Sequence, residues 1–186
     1  MKNEKNQIES GKLKLFVFAA LFAALTAAIS PIKIPLGFTP VPITLQTLAV
    51  LLSGAMLGPY YGALAMILYV TVGALGLPVF AGGGSGIGAL LGPTGGYVFS
   101  YFIAAFVIGK VVQMRKKPKY FDYVIAMVAG TIIIYVLGAA QGMVVTGLSL
   151  AAIITGWVLP FIIGDAIKLL IAAYIAKNVD IKRYIK

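Results

Sequence analysis

The sequence predicts an all-α membrane protein: six transmembrane helices in one bundle, a Gly-rich outer loop between helices 3 and 4, and both termini cytoplasmic. Three observations carry this prediction. Of the 186 residues, 61% are apolar and 11% charged, with a mean hydropathy of +1.01, whereas a soluble domain covers itself with about 25% charged residues. Lipid is therefore the solvent for most of the surface. The apolar residues fall into six stretches near the length of a spanning helix, about 20 residues, within a single integral membrane domain over 1–186. The cations, finally, gather in the connections that this layout places on one side.

The first span, residues 13–30, is closed by Pro31. A cleaved leader would also start basic and turn apolar, but this run exceeds the roughly 7–15 residues of a leader core. Its Ala19, Ala20, Ala23, Ala24, Ala27 and Ala28 recur at spacings of four, which lines a helix face with small side chains and permits close approach in lipid. Such a face serves either packing within the bundle or docking of another membrane protein. The second span, 43–57, is short, follows Pro42 and carries Gln46 near its start. The third is 59–77 and the fourth 94–112. Gly58-Pro59 and Gly92-Pro93 each read as a helix stop followed by a start, with Pro in the first turn where its missing donor is not needed. The shared Leu-Gly-Pro-x-x-Gly at 57 and 91 is thus punctuation rather than an internal repeat. Spans five and six are 123–142 and 151–176, the last interrupted by Pro160.

Charge placement tests the layout. With the N-terminus inside, Lys2, Lys5, Lys12 and Lys14 precede span one on the cytoplasmic side. Lys110, Arg115, Lys116, Lys117 and Lys119 lie between spans four and five, and Lys177, Lys182, Arg183 and Lys186 follow span six. Thirteen of the 15 cations then share one side, as the positive-inside rule requires for short loops. The net charge of +10 thereby records topology, and no nucleic-acid partner is implied. Lys33 and Lys168 are the exceptions.

No Cys and no His occur, which removes thiol nucleophiles, imidazole bases and Cys/His metal sites. No catalytic residue, metal or cofactor is expected. The Gly-rich loop 78–93, centred on 81–88, is too rich in exposed backbone for a lipid-facing span; such backbone survives at membrane depth only inside protein or beside a cavity. It reads either as a flexible outer connection or as a lid whose bare backbone meets a ligand. No Lys-Ser or Lys-Thr closes the run, so it is not a phosphate-binding P-loop. Asp165 is the lone acid within a predicted span, and Lys168 shares its helix face three positions later. Buried singly, each would be costly, so they form a structural ion pair or a polar ligand site. Gln46 adds an amide that both donates and accepts. Phe80 and Tyr97 flank the Gly-rich loop, and a Ser85–Lys168 dyad is the sole formal route to an intramembrane enzyme.

The stretches Thr39-Pro-Val-Pro-Ile-Thr-Leu-Gln-Thr-Leu-Ala-Val-Leu-Leu-Ser-Gly54, Gly76-Leu-Pro-Val-Phe-Ala-Gly-Gly83, Leu91-Gly-Pro-Thr-Gly-Gly-Tyr97 and Pro160-Phe-Ile-Ile-Gly-Asp-Ala-Ile-Lys168 resemble the BioY family. These are the biotin-binding S components of energy-coupling factor (ECF) transporters, and the resemblance covers nearly the whole chain. It implies a high-affinity substrate-capture subunit in the plasma membrane of a prokaryote. Such a subunit works with a transmembrane coupling protein and two cytoplasmic ATPases, and is expected to topple in the membrane to release its vitamin inward. An S component for another vitamin would share the fold and differ in the pocket.

By the same resemblance, Asp165 accepts the ureido N–H groups of biotin, Gln46 is a further polar contact, and Gly82, Gly83, Gly84, Ser85 and Gly86 close over the ligand with Phe80 and Tyr97. Lys168 either meets the biotin carboxylate or holds Asp165 ionised. Some family members carry an Asn in the Gly-rich loop and a basic residue after Gly-Gly-Tyr, where this chain has Gly84, Ser85 and Val98. The carboxylate contact is thus open among Lys168, Lys33 and loop N–H groups. Ala19, Ala23 and Ala27 resemble the face presented to the coupling protein.

Overall fold

The computed structural model describes residues 2–179 and 181, with side chains from residue 10 onward. The expected cations Lys182, Arg183 and Lys186, and the side chains of Lys2 and Lys5, lie outside that range. Helix α1 (Lys2–Ile29) leads into a two-stranded antiparallel ribbon, β1 (Lys33–Ile34) and β2 (Ile43–Thr44), with Lys33 opposite Thr44 and Ile34 opposite Ile43. Helix α2 (Gln46–Ala74) follows, then a 3-10 turn at Ala81–Gly83 and the short α3 (Gly86–Leu91). Helices α4 (Gly95–Gln113) and α5 (Tyr120–Thr146) come next. Short α6 (Leu150–Ile153) passes through a π-helical turn at Ile154–Val158 and a 3-10 turn at Leu159–Phe161 into α7 (Ile162–Asn178).

Among the described residues, five helices are long and apolar enough to cross a membrane: Ser10–Ile29, Gln46–Ala74, Gly95–Gln113, Tyr120–Thr146 and Leu150–Asn178. The expected spans two and three correspond to the two arms of α2, which meet at a non-helical residue, Gly58. That element is not straight. Gly58 has φ of 80° and ψ of −178°, a conformation that glycine adopts without steric cost, and Pro59 begins the second arm. A Cβ placed on Gly62 would lie 2.8 Å from the Cα of Gly54, and the Gln46 side-chain amide donates to the Tyr69 hydroxyl at 2.6 Å. A straight helix would separate Gln46 and Tyr69 by roughly 35 Å at 1.5 Å per residue. The two arms of α2 therefore fold back against each other at Gly58.

The reversal sorts the molecule into two ends. Leu15, Gly58, Gln113, Arg115, Lys116, Lys177 and Ile181 surround one cavity of about 720 Å³ at the cationic end. The ribbon, the start of α2, Ala81 and Thr94 meet at the other. Between them, small residues let helices close up: Gly54 abuts the backbone of Ala105, and Gly109 abuts Gly58 and Pro59, the packing mode of helices in lipid. One buried cluster centres on Met66, Tyr69, Tyr101 and Ile134; the second joins Leu51, Ile108, Met127 and Ala172. Phe16, Leu21, Ile125, Ile132, Ile163 and Ile171 are exposed, an outward apolar surface that suits hydrocarbon and would be a liability in water.

Candidate functional site

The polar centre starts from a charge that hydrocarbon cannot tolerate alone. Asp165 lies in the first turn of α7 and is 8% exposed. Its Oδ1 is 2.5 Å from Lys168 Nζ one helical turn on, and Oδ1 also accepts from Thr47 Oγ1 at 3.2 Å. The Tyr135 hydroxyl of α5 donates to Oδ2 at 2.5 Å. Lys168 Nζ further donates to the Thr44 carbonyl at 3.0 Å and to Thr47 Oγ1 at 2.9 Å. An ammonium has three donors and a carboxylate about four acceptor positions. Lys168 is thereby fully engaged, while Asp165 keeps one acceptor position for a ligand. The structure places Asp165 and Lys168 in one ion pair.

A second polar cluster adjoins it. The Tyr69 hydroxyl accepts from Gln46 Nε2 and Ser30 Oγ and donates to the Val79 carbonyl, all within 3.0 Å. Gln46 Oε1 accepts from Thr44 Oγ1 at 3.0 Å and from the Tyr101 hydroxyl at 3.4 Å. These bonds tie α1, both arms of α2, the Gly-rich loop and α4 together. Among the described residues no buried side-chain N or O atom is left without a partner, as a dry interior requires.

Both clusters border one space of about 70 Å³. Gln46, Tyr97, Asp165 and Lys168, four residues singled out from sequence, line it together. Thr44, Thr47, Tyr101, Tyr135 and Phe161 line it as well and escaped the sequence reading; a hydroxyl in the middle of an apolar span, which must find a partner, was the available signal. Tyr97 is aimed by its hydrogen bond to the Trp157 carbonyl at 2.8 Å, which faces inward where the π-helical turn and Pro160 interrupt the last helix. Its ring packs against Gly138, where a Cβ would overlap it.

Other expected residues sit elsewhere. Phe80 is 4% exposed and packs edge-on against Tyr69 at 5.7 Å, one layer behind the cavity. Of the Gly-rich loop, Ala81 lines this space, and Gly82, Gly83, Gly84, Ser85 and Gly86 lie outside the lining. Their part is backbone shape: Gly82, Gly83 and Gly86 have φ of 69°, 80° and 82°, and Phe80 and Gly84 close a turn by a 2.9 Å hydrogen bond. With Ser85 away from the cavity and Lys168 engaged, no Ser–Lys dyad is assembled. The docking face is corrected too. Ala19 and Ala23 are 0% and 9% exposed and face the core, Ala27 is half-buried against it, and Ala20, Ala24 and Ala28 are the exposed alanines of α1.

Comparison with known proteins adds an independent line. The model of the BioY family matches residues 2–184. The biotin transporter BioY of Thermotoga maritima is 43% identical over 174 residues, covering 92% of this chain and all of that protein. The biotin transporter BioY of Rhodobacter capsulatus is 42% identical over 170 residues, covering 86% and 89% of the two chains. A crystal structure of the S-component for biotin from an ECF-type ABC transporter superposes with a TM-score of 0.83 at 29% identity, covering 94% of this chain and 97% of that one.

Proposed function

The chain belongs to the BioY family, and from that premise we propose that it captures biotin at the Asp165 cavity as the S component of an ATP-driven ECF importer. It is a multi-pass membrane transport subunit and not an enzyme. The observation that carries the proposed site is the buried Asp165 side chain, ion-paired with Lys168 and bordered by Tyr97, Tyr101 and Tyr135. Biotin fits this chemistry. Its ureido ring offers N–H donors to a carboxylate, a charge-assisted bond that strengthens where water is excluded, and its thiophane ring and valeryl chain suit an apolar and aromatic wall.

Six crossings with cytoplasmic termini follow from α2 serving as two arms, in the plasma membrane of a prokaryote. The loop Lys116, Lys117 and Lys119 then lies inside with Lys12, Lys14 and Lys177, in keeping with the positive-inside rule. ATP hydrolysis falls to two partner ATPases, and a transmembrane coupling protein docks on the exposed face of α1. Titration calorimetry of the purified chain with biotin and a panel of other vitamins tests the assignment. Saturable binding confined to biotin is expected. Binding of another vitamin alone, or conversion of the ligand to a product, would contradict it.

A further inference from the structure

Resting on the reading above, the geometry assigns recognition of the ligand's free carboxylate to Lys33, at the rim of the cavity. Lys33 is paired directly across the β-ribbon from Thr44, and residues opposite each other in an antiparallel pair project to the same face. Thr44 turns that face toward the cavity: it lines the space and donates from Oγ1 to Gln46. Lys33, exposed and outside the lining, therefore stands beside the same site. Its far end lands on the Gly-rich loop, where a Cβ on Gly82 would overlap Lys33 Cε and Nζ. The adjoining Ala81 is the loop residue that lines the cavity. Ribbon and loop thus bring one ammonium to the entrance.

The neighbouring cation cannot take this role, because all three donors of Lys168 are committed to Asp165, Thr44 and Thr47. Among the described residues no ion pair or hydrogen bond engages Lys33. The site then has a buried anion at its floor and an uncommitted cation at its rim, with apolar and aromatic walls between them. A ligand with N–H donors at one end and a carboxylate at the other is oriented by that polarity. A glycine at 82 is what lets the lysine lie flat against the loop.

The test is titration of the full-length protein in detergent with biotin and with biotinamide, whose neutral amide replaces the carboxylate. Lys33→Met should weaken biotin binding roughly tenfold, the scale of one lost charge-assisted hydrogen bond, and biotinamide binding far less. Raising salt should weaken biotin binding to the wild type and matter less in Lys33→Met, because a rim charge is screened. Lys33→Arg should restore most of the biotin affinity. Unchanged biotin affinity in Lys33→Met, or an equal loss for both ligands, would overturn the role of Lys33 while leaving biotin capture intact. Failure of the wild type to bind biotin would overturn the biotin reading and this assignment with it.

Discussion

Asp165 is accommodated inside an apolar bundle by three donors from three helices: Lys168, Thr47 and Tyr135. Removing one partner of a buried ion pair leaves the other charge uncompensated, which costs more than the pair itself contributes. Lys168→Met should therefore damage the floor of the site rather than the carboxylate contact. Biotin and biotinamide titrations are predicted to show equal losses in that variant; a loss confined to biotin would return the carboxylate role to Lys168. The floor was legible from sequence in part. A lone acid in an apolar span, with a lysine three positions on, draws attention wherever it occurs. Thr47 and Tyr135 did not, since they approach Asp165 from 118 and 30 positions away and their residue types are ordinary in a span.

At the scale of elements, the register of α1 shows why a stripe of alanines is ambiguous. Two adjacent faces carry Ala at spacings of four, and sequence spacing treats them alike. Polar partners break the tie: Thr26 and Ser30 are fully buried, and Ser30 reaches Tyr69 at 3.0 Å, which turns Ala19 and Ala23 inward. Ala24→Trp is predicted to spare biotin binding and block co-purification with the coupling protein, whereas Ala23→Trp should overpack the core and lower the melting temperature. Retained assembly in Ala24→Trp would refute the docking face. The Gly-rich loop poses a second question at this scale. A cavity of about 70 Å³ is far below the roughly 300 Å³ at which ligand pockets begin, so seating biotin requires ribbon and loop to part and close again. Hydrogen exchange of the amides in 81–91 is predicted to slow on biotin addition. Identical exchange with and without biotin would contradict this.

For the whole molecule, composition made the solvent legible, and charge placement made the two ends legible. The break at Gly58-Pro59 was legible as a helix stop followed by a start, whereas the contacts that hold the two arms together were not. The reversal depends on Gly54 and Gly62 meeting, and on Gln46 finding Tyr69, contacts that a local pattern does not encode. It places the buried anion near the ribbon end, away from the cationic end where Arg115, Lys116 and Lys177 gather. That division suits a subunit that takes its ligand from one side and meets its energising partners from the other. Asp165 is the proposed anchor of a bound biotin. Side-by-side calorimetric titration of the wild type and Asp165→Asn with biotin tests it most directly. Saturable one-to-one binding by the wild type, weakened about tenfold to a hundredfold in the variant, is the predicted result; equal affinity in the two proteins would contradict it.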